Sequence, residues 1–332
     1  LQVMRDRSKP VLCSGEILFD FISREPMKGL EGTTLFEKKP GGAPFNISVG
    51  LHRLGVPMEF LAKIGMDEFG NALLEYLKSL GISTSYVIRE HGTKTPIAFA
   101  ALDGEGKPEF RFYWDHAAHL SLKSEEIEEI DPLNFSLFHF GAIVLLEEPS
   151  ASTYLELFER FSSRGVKTSF DPNIRRSAIE DHDSFRATVR EIISRVDILK
   201  LSDDDLLYIC DSDNLDEALS RLEVRPDTLV FLTLGSRGST VYRGRTSVKR
   251  EGFKVKVAET TGCGDSFMAA VISKLYNMGD EELRSLTEED LGSILTFANA
   301  EAAIVATRYG GASSMPAESE VNQFLKERGM DH

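Results

Sequence analysis

The sequence predicts an α/β fold with a mainly parallel central sheet covered by helices, and a small second sheet apart from it. Three observations carry this expectation. From Leu137 onward, short apolar runs suited to buried strands (137–140, 167–170, 197–201, 228–233) alternate with segments suited to helices (150–164, 183–195, 203–210, 214–222). That alternation is the signature of strand–helix–strand crossovers. Two strand-rich pieces, near 17–38 and 95–115, break the pattern and have the texture of hairpins. The chain has 332 residues, 42% of them hydrophobic, with no repeat and no long low-complexity linker. That is core enough for one large α/β domain. We therefore read 1–332 as a single domain, with the discontinuous segments 17–38 and 95–115 pairing into a lid over the carboxyl ends of the main strands, where open α/β folds bind ligands.

The elements follow in order. Val11-Leu12-Cys13-Ser14-Gly15-Glu16 is a short buried strand ending in a turn. Ala43–Leu54 carries Phe45, Ile47, Val49, Leu51 and Leu54 and is closed by Gly55, which predicts a helix. Met58–Ile64 is a strand. Asn71–Leu80 presents Leu73, Leu74, Leu77 and Leu80 on one face and is stopped by Gly81. Ile97–Leu102 and Glu109–Trp114 flank Asp103-Gly104-Glu105-Gly106-Lys107-Pro108, a hairpin turn. Residues 239–257 read as several short antiparallel strands, and helices follow at 264–278, 288–306 and 318–327.

Charge and cysteines exclude several classes. With 38 basic and 53 acidic residues the net charge is −15. Such a chain repels nucleic acid and anionic membrane at long range, so neither is expected as a partner. Cys13, Cys210 and Cys263 are scattered and show no CxxC spacing, so neither a disulfide framework nor a structural zinc site is expected. No apolar run is long enough to span a membrane, and Leu1 to Pro10 has no signal-peptide core. A reducing, cytoplasmic setting is the expectation.

The chemistry concentrates at Thr260-Thr261-Gly262-Cys263-Gly264-Asp265, which runs into the apolar helix beginning near Gly264. A glycine-rich turn at a helix N-terminus aims free backbone N–H groups at one point and binds anions. Asp265 in the first helical turn can accept the proton of an attacking hydroxyl. The same residues also suit a plain capped helix start, and the loop alone does not separate the two readings. The chain lacks G-x-x-x-x-G-K-[ST], which excludes a P-loop enzyme.

Thr-Thr-Gly-Cys-Gly-Asp-Ser-Phe resembles the C-terminal signature of the ribokinase-like (PfkB) carbohydrate kinases, usually Asp-Thr-x-Gly-Ala-Gly-Asp. Other blocks agree, in order. They are Gly15-Glu16-Ile17-Leu18-Phe19-Asp20, Gly41-Gly42-Ala43-Pro44-Phe45-Asn46, Lys63 to Gly70, Asp171-Pro172-Asn173-Ile174-Arg175 and Thr233 to Gly238. The resemblance spans about 11 to 316. It implies a ribokinase-like fold and transfer of the γ-phosphoryl group of ATP, with Mg²⁺, to a sugar hydroxyl. It implies Asp265 as general base, with the amides of Gly262, Cys263 and Gly264 as an anion hole. Sugar binding would fall to Asp20, Gly41, Gly42 and Asn46, and the nucleotide to Thr233, Gly235, Gly238 and Asn299. A monovalent-cation site, potassium in many relatives, would involve Glu259 (usually Asp), the carbonyl region of Thr261 and the loop 308–312. Within the family the blocks look most like fructokinases. Keto-deoxygluconate kinases and ribokinases are the neighbouring alternatives, and a non-catalytic regulatory member is the alternative of another class.

Other residues divide between function and packing. Phe99, Phe112 and Trp114 could pack on a sugar or simply on one another across strands. Arg175 could hold substrate oxygens or form a structural ion pair. His116 and His119 lack the partners of a metal site. Ser202 and Asp205 stand where the family often has Asn and Glu, but they also make a complete helix cap. Cys263 replaces the usual Ala and reads as a small residue that fits. A sugar-acid substrate would call for a cation facing its carboxylate, and Arg89, Lys94 and Arg111 are the candidates. The outer edges of the lid strands suggest a homodimer through the lid.

Overall fold

The computed structural model describes residues 9–102, 104 and 108–330. Most of the expected Asp103–Pro108 turn, and Leu1 to Ser8, lie outside the described residues. The N-terminal part runs β1 (Val11–Ser14), β2 (Leu18–Ser23), a one-turn α1 (Gly29–Gly32), β3 (Phe36–Gly41), α2 (Ala43–Arg53), β4 (Met58–Gly65), α3 (Glu68–Ser79) and β5 (Val87–Glu90). Next come β6 (Ile97–Leu102), β7 (Pro108–Tyr113), β8 (Leu137–Gly141), α4 (Ser150–Ser163), β9 (Lys167–Asp171), α5 (His182–Ile193) and β10 (Ile198–Ser202). The chain finishes with α6 (Asp203–Cys210), α7 (Leu215–Arg221), β11 (Leu229–Thr233), β12 (Ser239–Arg243), β13 (Thr246–Arg250), α8 (Cys263–Leu275), α9 (Asp280–Ser285), α10 (Glu288–Ala306) and α11 (Glu318–Lys326).

Among the described residues, nine strands form the main sheet in the order β13-β12-β11-β10-β9-β8-β1-β4-β5. From β11 to β5 every pairing is parallel, and β12 and β13 extend one edge antiparallel. The second sheet, β3-β2-β6-β7, pairs Asp20 with Lys39 on one side and Ala98 on the other. The segments 17–38 and 95–115 thus do meet in a small sheet. It is joined to the large one by the short link from β1 to β2, and the chain returns from β3 directly into α2.

Apolar layers line both faces of the main sheet. One gathers Phe45, Ile47 and Leu51 of α2, Phe267, Met268 and Val271 of α8, and Leu295 and Ile304 of α10. The other holds Phe138, Phe140, Tyr154, Phe158, Phe161, Phe170 and Val189. Every residue from Asp265 to Ile272 is buried, which fits a helix sandwiched between α2 and α10 rather than lying on the surface. Burying each of its large side chains contributes roughly 1.5–3 kcal/mol, and this anchors the start of the helix. Among the described residues no helix is long and apolar enough to cross a membrane.

The structure departs from the sequence reading in several places. α3 begins at Glu68, before the expected Asn71, because the Asp67 carboxylate accepts the Gly70 N–H at 2.7 Å and starts the helix earlier. β5 was not anticipated, nor was α9. Residues 239–257 hold two antiparallel strands, and 251–257 are irregular.

Candidate active site

The site forms where the two sheets meet. Main-sheet strands deliver Glu16 just past β1, Asp171 at the end of β9 and Lys200 on β10, while β2 of the small sheet delivers Asp20. Two helix N-termini face this junction, α2 with Gly42 and Asn46, and α8 with Gly262 to Asp265. Gly42 has φ +109° and Gly262 has φ +84°, backbone conformations that side-chain-bearing residues rarely adopt, so both turns favour glycine.

Asp265 is 8% exposed, and its Oδ2 accepts a hydrogen bond from Asn46 Nδ2 at 2.8 Å. Burial raises its pKa above the ordinary carboxylate range, opposed by the Asn46 bond and by the charges of Lys200 and Arg175. The amides of Gly262 and Gly264 have no hydrogen-bond partner among the described residues, whereas the Cys263 N–H turns back to the Thr260 carbonyl at 3.2 Å. The cradle therefore offers two uncommitted N–H groups beside a buried carboxyl. Burial pushes the Cys263 thiol up to about 12, with Asp265 and Glu259 adding to the rise.

Asp20 lies on β2 and is half-buried. Burial raises its pKa to about 7, while Arg175 acts to lower it and Asp265 and Glu259 to raise it. A β-carbon at Gly41 would stand 1.9 Å from Asp20 Oδ2, so the absent side chain is the space this carboxyl occupies. Asn46 likewise packs against Gly311, where a β-carbon would lie 2.8 Å from Nδ2. Arg175 Nη1 reaches only the carbonyls of Asn173 and Ile174, at 3.4 and 3.5 Å, and its charge faces Asp20, Glu16 and Asp265. No structural ion pair of Arg175 is found among the described residues.

Three residues that the sequence reading did not single out join this group. Glu16 is 2% exposed. Its Oε1 accepts the Ala43 N–H at 3.0 Å, while Oε2 is buried without a partner among the described residues. Burial raises its pKa to about 7. Asp171 and Lys200 form a buried pair at 2.9 Å. The available signal was a charge inside an apolar strand, Ile198-Leu199-Lys200-Leu201, but Leu61-Ala62-Lys63-Ile64 carries the same signal elsewhere.

Other expected residues are placed as follows. Phe99 lies in the small sheet among Phe21, Phe36 and Tyr113, at ring distances of 5.0, 5.2 and 5.6 Å. Phe112 pairs across from Ala98 and so faces the other side, where it stacks on Trp114 at 4.3 Å. On the nucleotide side, Thr233 Oγ1 donates to the Leu201 carbonyl at 3.3 Å, and Gly235 opens a one-turn helix after β11. Gly238 lies against the Arg250 carbonyl, 2.2 Å from where a β-carbon would be. The Asn299 amide is engaged at both ends, accepting from Ser239 Oγ at 2.9 Å and reaching the Arg250 and Glu251 carbonyls at 3.4 Å.

Glu259 Oε2 accepts the Gly310 N–H at 2.7 Å, which ties the loop 308–312 to the segment entering α8 beside Thr261. Ser202 and Asp205 form the capping box of α6, and Asp205 Oδ1 also accepts the Ile174 N–H at 2.9 Å. Both carboxylate oxygens of Asp205 are thus occupied within the protein. Among the described residues no group of three or more His, Cys, Asp or Glu could hold a metal ion, His116 and His119 included. Arg89 bonds Asn71, Lys94 sits at a backbone bridge to Ala117, and Arg111 stands opposite Phe99 on the small sheet.

An anion cradle at a half-buried helix N-terminus, a buried carboxyl within it and a small sheet at the carboxyl edge of a parallel sheet fit an α/β phosphotransferase. The chain belongs to the pfkB family of carbohydrate kinases, which it matches over residues 8–318. It is 33% identical over 318 residues to a probable fructokinase-4 of Arabidopsis thaliana, covering 95% of this chain and 96% of that protein. It is 32% identical to fructokinase-1 of Zea mays, covering 96% and 98%. A fructokinase from Xylella fastidiosa, solved with bound ATP, superimposes with a TM-score of 0.86 at 26% identity, over 97% of this chain and 99% of that one.

Proposed function

We propose that this protein is an ATP-dependent fructokinase that converts fructose and ATP to fructose 6-phosphate and ADP. The observation that carries the chemistry is the buried Asp265 carboxyl, held by Asn46 at 2.8 Å beside the open amides of Gly262 and Gly264. Full-length similarity to fructokinases supports the choice of sugar.

In this reading Asp20, Gly42 and Asn46 hold the sugar hydroxyls, and Arg175 balances the carboxylates around them. Gly41 leaves the room that Asp20 needs. Asp265 accepts the proton of the primary hydroxyl as that oxygen attacks the γ-phosphorus, a role typically worth roughly 10²–10⁴ in rate. The cradle amides, placed before charge develops, stabilise the equatorial oxygens. The nucleotide lies along the edge from Thr233 to Gly238 toward α10. Because the Asn299 side chain is engaged, backbone groups and packing near it would meet the adenine. Mg²⁺ would be carried on the phosphates and stay mostly hydrated. A potassium ion would rest on carbonyls near Thr261 and the loop 308–312, with Glu259 fixing that loop.

The chain acts as one domain in this account. The small sheet, with Phe99 on it, serves as a lid that excludes water. Its edge strands β3 and β7, with Phe110 and Tyr113 exposed, suit a homodimer contact. Three free thiols fit a reducing cytoplasm. The test is an ADP-release assay with ATP·Mg²⁺ and a panel of fructose, ribose, keto-deoxygluconate, adenosine and fructose phosphates. Fructose should give the highest kcat/KM. A higher value for another acceptor reassigns the substrate, and turnover of none refutes the kinase.

A further inference from the structure

Two buried lysines, Lys63 and Lys200, sit in largely apolar main-sheet strands, and they differ in one respect. Lys63 on β4 is saturated, with the Ser121 carbonyl and Glu126 at 2.8 Å and Glu90 at 2.9 Å. Lys200 on β10, with 5% of its side chain exposed, has a single hydrogen-bond acceptor among the described residues, Asp171 Oδ2 at 2.9 Å. An ammonium has three donors, and burying one with donors unmatched is costly. The ammonium lies against the cradle. A β-carbon on Gly264 would lie 3.1 Å from Lys200 Nζ, so the ammonium sits beneath the first turn of α8, beside the uncommitted Gly264 amide. Asp171, Asp205 and Asp265 offset the burial and keep it protonated.

We propose that Lys200 is a further catalytic residue, whose ammonium holds an equatorial oxygen of the phosphoryl group during its transfer. The inference rests on the kinase reading above. As the sugar O–P bond forms and the bond from γ-phosphorus to the ADP oxygen breaks, the hydroxyl proton passes to Asp265. Lys200 keeps its own proton throughout. Asp171 holds the ammonium under the cradle and leaves its other donors for the phosphoryl oxygens. A cation at this point complements two neutral amides, which alone offer little charge for the anionic phosphoryl group.

The competing role is purely structural, with Lys200 only balancing the buried Asp171. The double variant Lys200→Met/Asp171→Asn removes both charges and so separates the two. Lys200→Met and the double variant should each lower kcat with fructose by about 10²–10³-fold. ADP and fructose affinities, measured by calorimetry, should stay within about threefold in the double variant. Recovery of kcat in the double variant to within about fivefold of wild type would overturn the proposal. Should the variants fail to fold, the wild-type protein with ADP, aluminium fluoride and fructose decides it. Lys200 Nζ should lie about 3 Å from a fluoride, and a separation beyond about 4 Å overturns it. An active wild type with an equally active double variant fails this inference alone. A wild type that phosphorylates no sugar fails the kinase reading and the inference with it.

Discussion

Glu16→Gln tests the electrostatics of the site without touching the transferring atoms. Glu16 is buried with one oxygen on the Ala43 N–H and the other unpartnered, and its pKa rises from 4.5 to about 7. A raised carboxyl pKa means that the native state binds more protons than the unfolded chain between those values. This contribution to stability is therefore largest at low pH and is lost as pH rises from about 4.5 through 7. At about 1.36 kcal/mol per pH unit the full cost of ionised Glu16 is on the order of 3 kcal/mol, most of it developing between pH 5 and 8. Glutamine keeps the acceptor for Ala43 and has no charge. It does bury an amide donor at a cost of about 1–3 kcal/mol, but that cost does not vary with pH. The stability of the variant relative to wild type should thus improve on the order of 2 kcal/mol from pH 5 to pH 8, read by urea unfolding followed by circular dichroism. An equal difference at both pH values, or one that moves the other way, would refute the reasoning.

Two further outcomes follow from the same geometry. Gly41→Ala drives a β-carbon into the place of the Asp20 carboxylate. It should raise the KM for sugar by about 10–100-fold through loss of a charged hydrogen bond, with the KM for ATP unchanged; a variant with ordinary sugar KM removes Asp20 from the binding site. Cys263 has a thiol pushed up to about 12 and an amide committed to Thr260. Cys263→Ala should keep kcat within about threefold, and iodoacetamide should react slowly with wild-type Cys263 at pH 7; rapid alkylation there would contradict the burial argument.

Elements with strong periodicity were legible in the sequence, and the partnerships between them were not. The strand near Val11, the helix from Ala43 and the buried helix from Cys263 follow from apolar spacing, and the alternation after Leu137 gave the parallel sheet. β5, Val-Ile-Arg-Glu, is a half-buried edge strand that lacks the apolar run of a central one. Residues 251–257 resemble strands in composition but form no strand pairing among the described residues. Asp265 and Asn46 lie 219 positions apart, so their hydrogen bond exists only through the packing of α8 on α2. Local pattern could flag each as the start of a helix, and the family resemblance gave them roles. Glu16 read as part of a turn, although its burial makes it a floor of the site. Lys200 and Lys63 look alike in sequence, and only the count of acceptors around each ammonium tells them apart.

The account stands on Asp265 as the base. Asp265→Asn keeps the size of the side chain and an oxygen to accept from Asn46, and it removes the proton acceptor. With ATP·Mg²⁺ and fructose, kcat should fall by roughly 10²–10⁴-fold while calorimetry finds fructose and ADP bound about as in wild type. A folded variant that retains near-normal kcat would contradict the central claim.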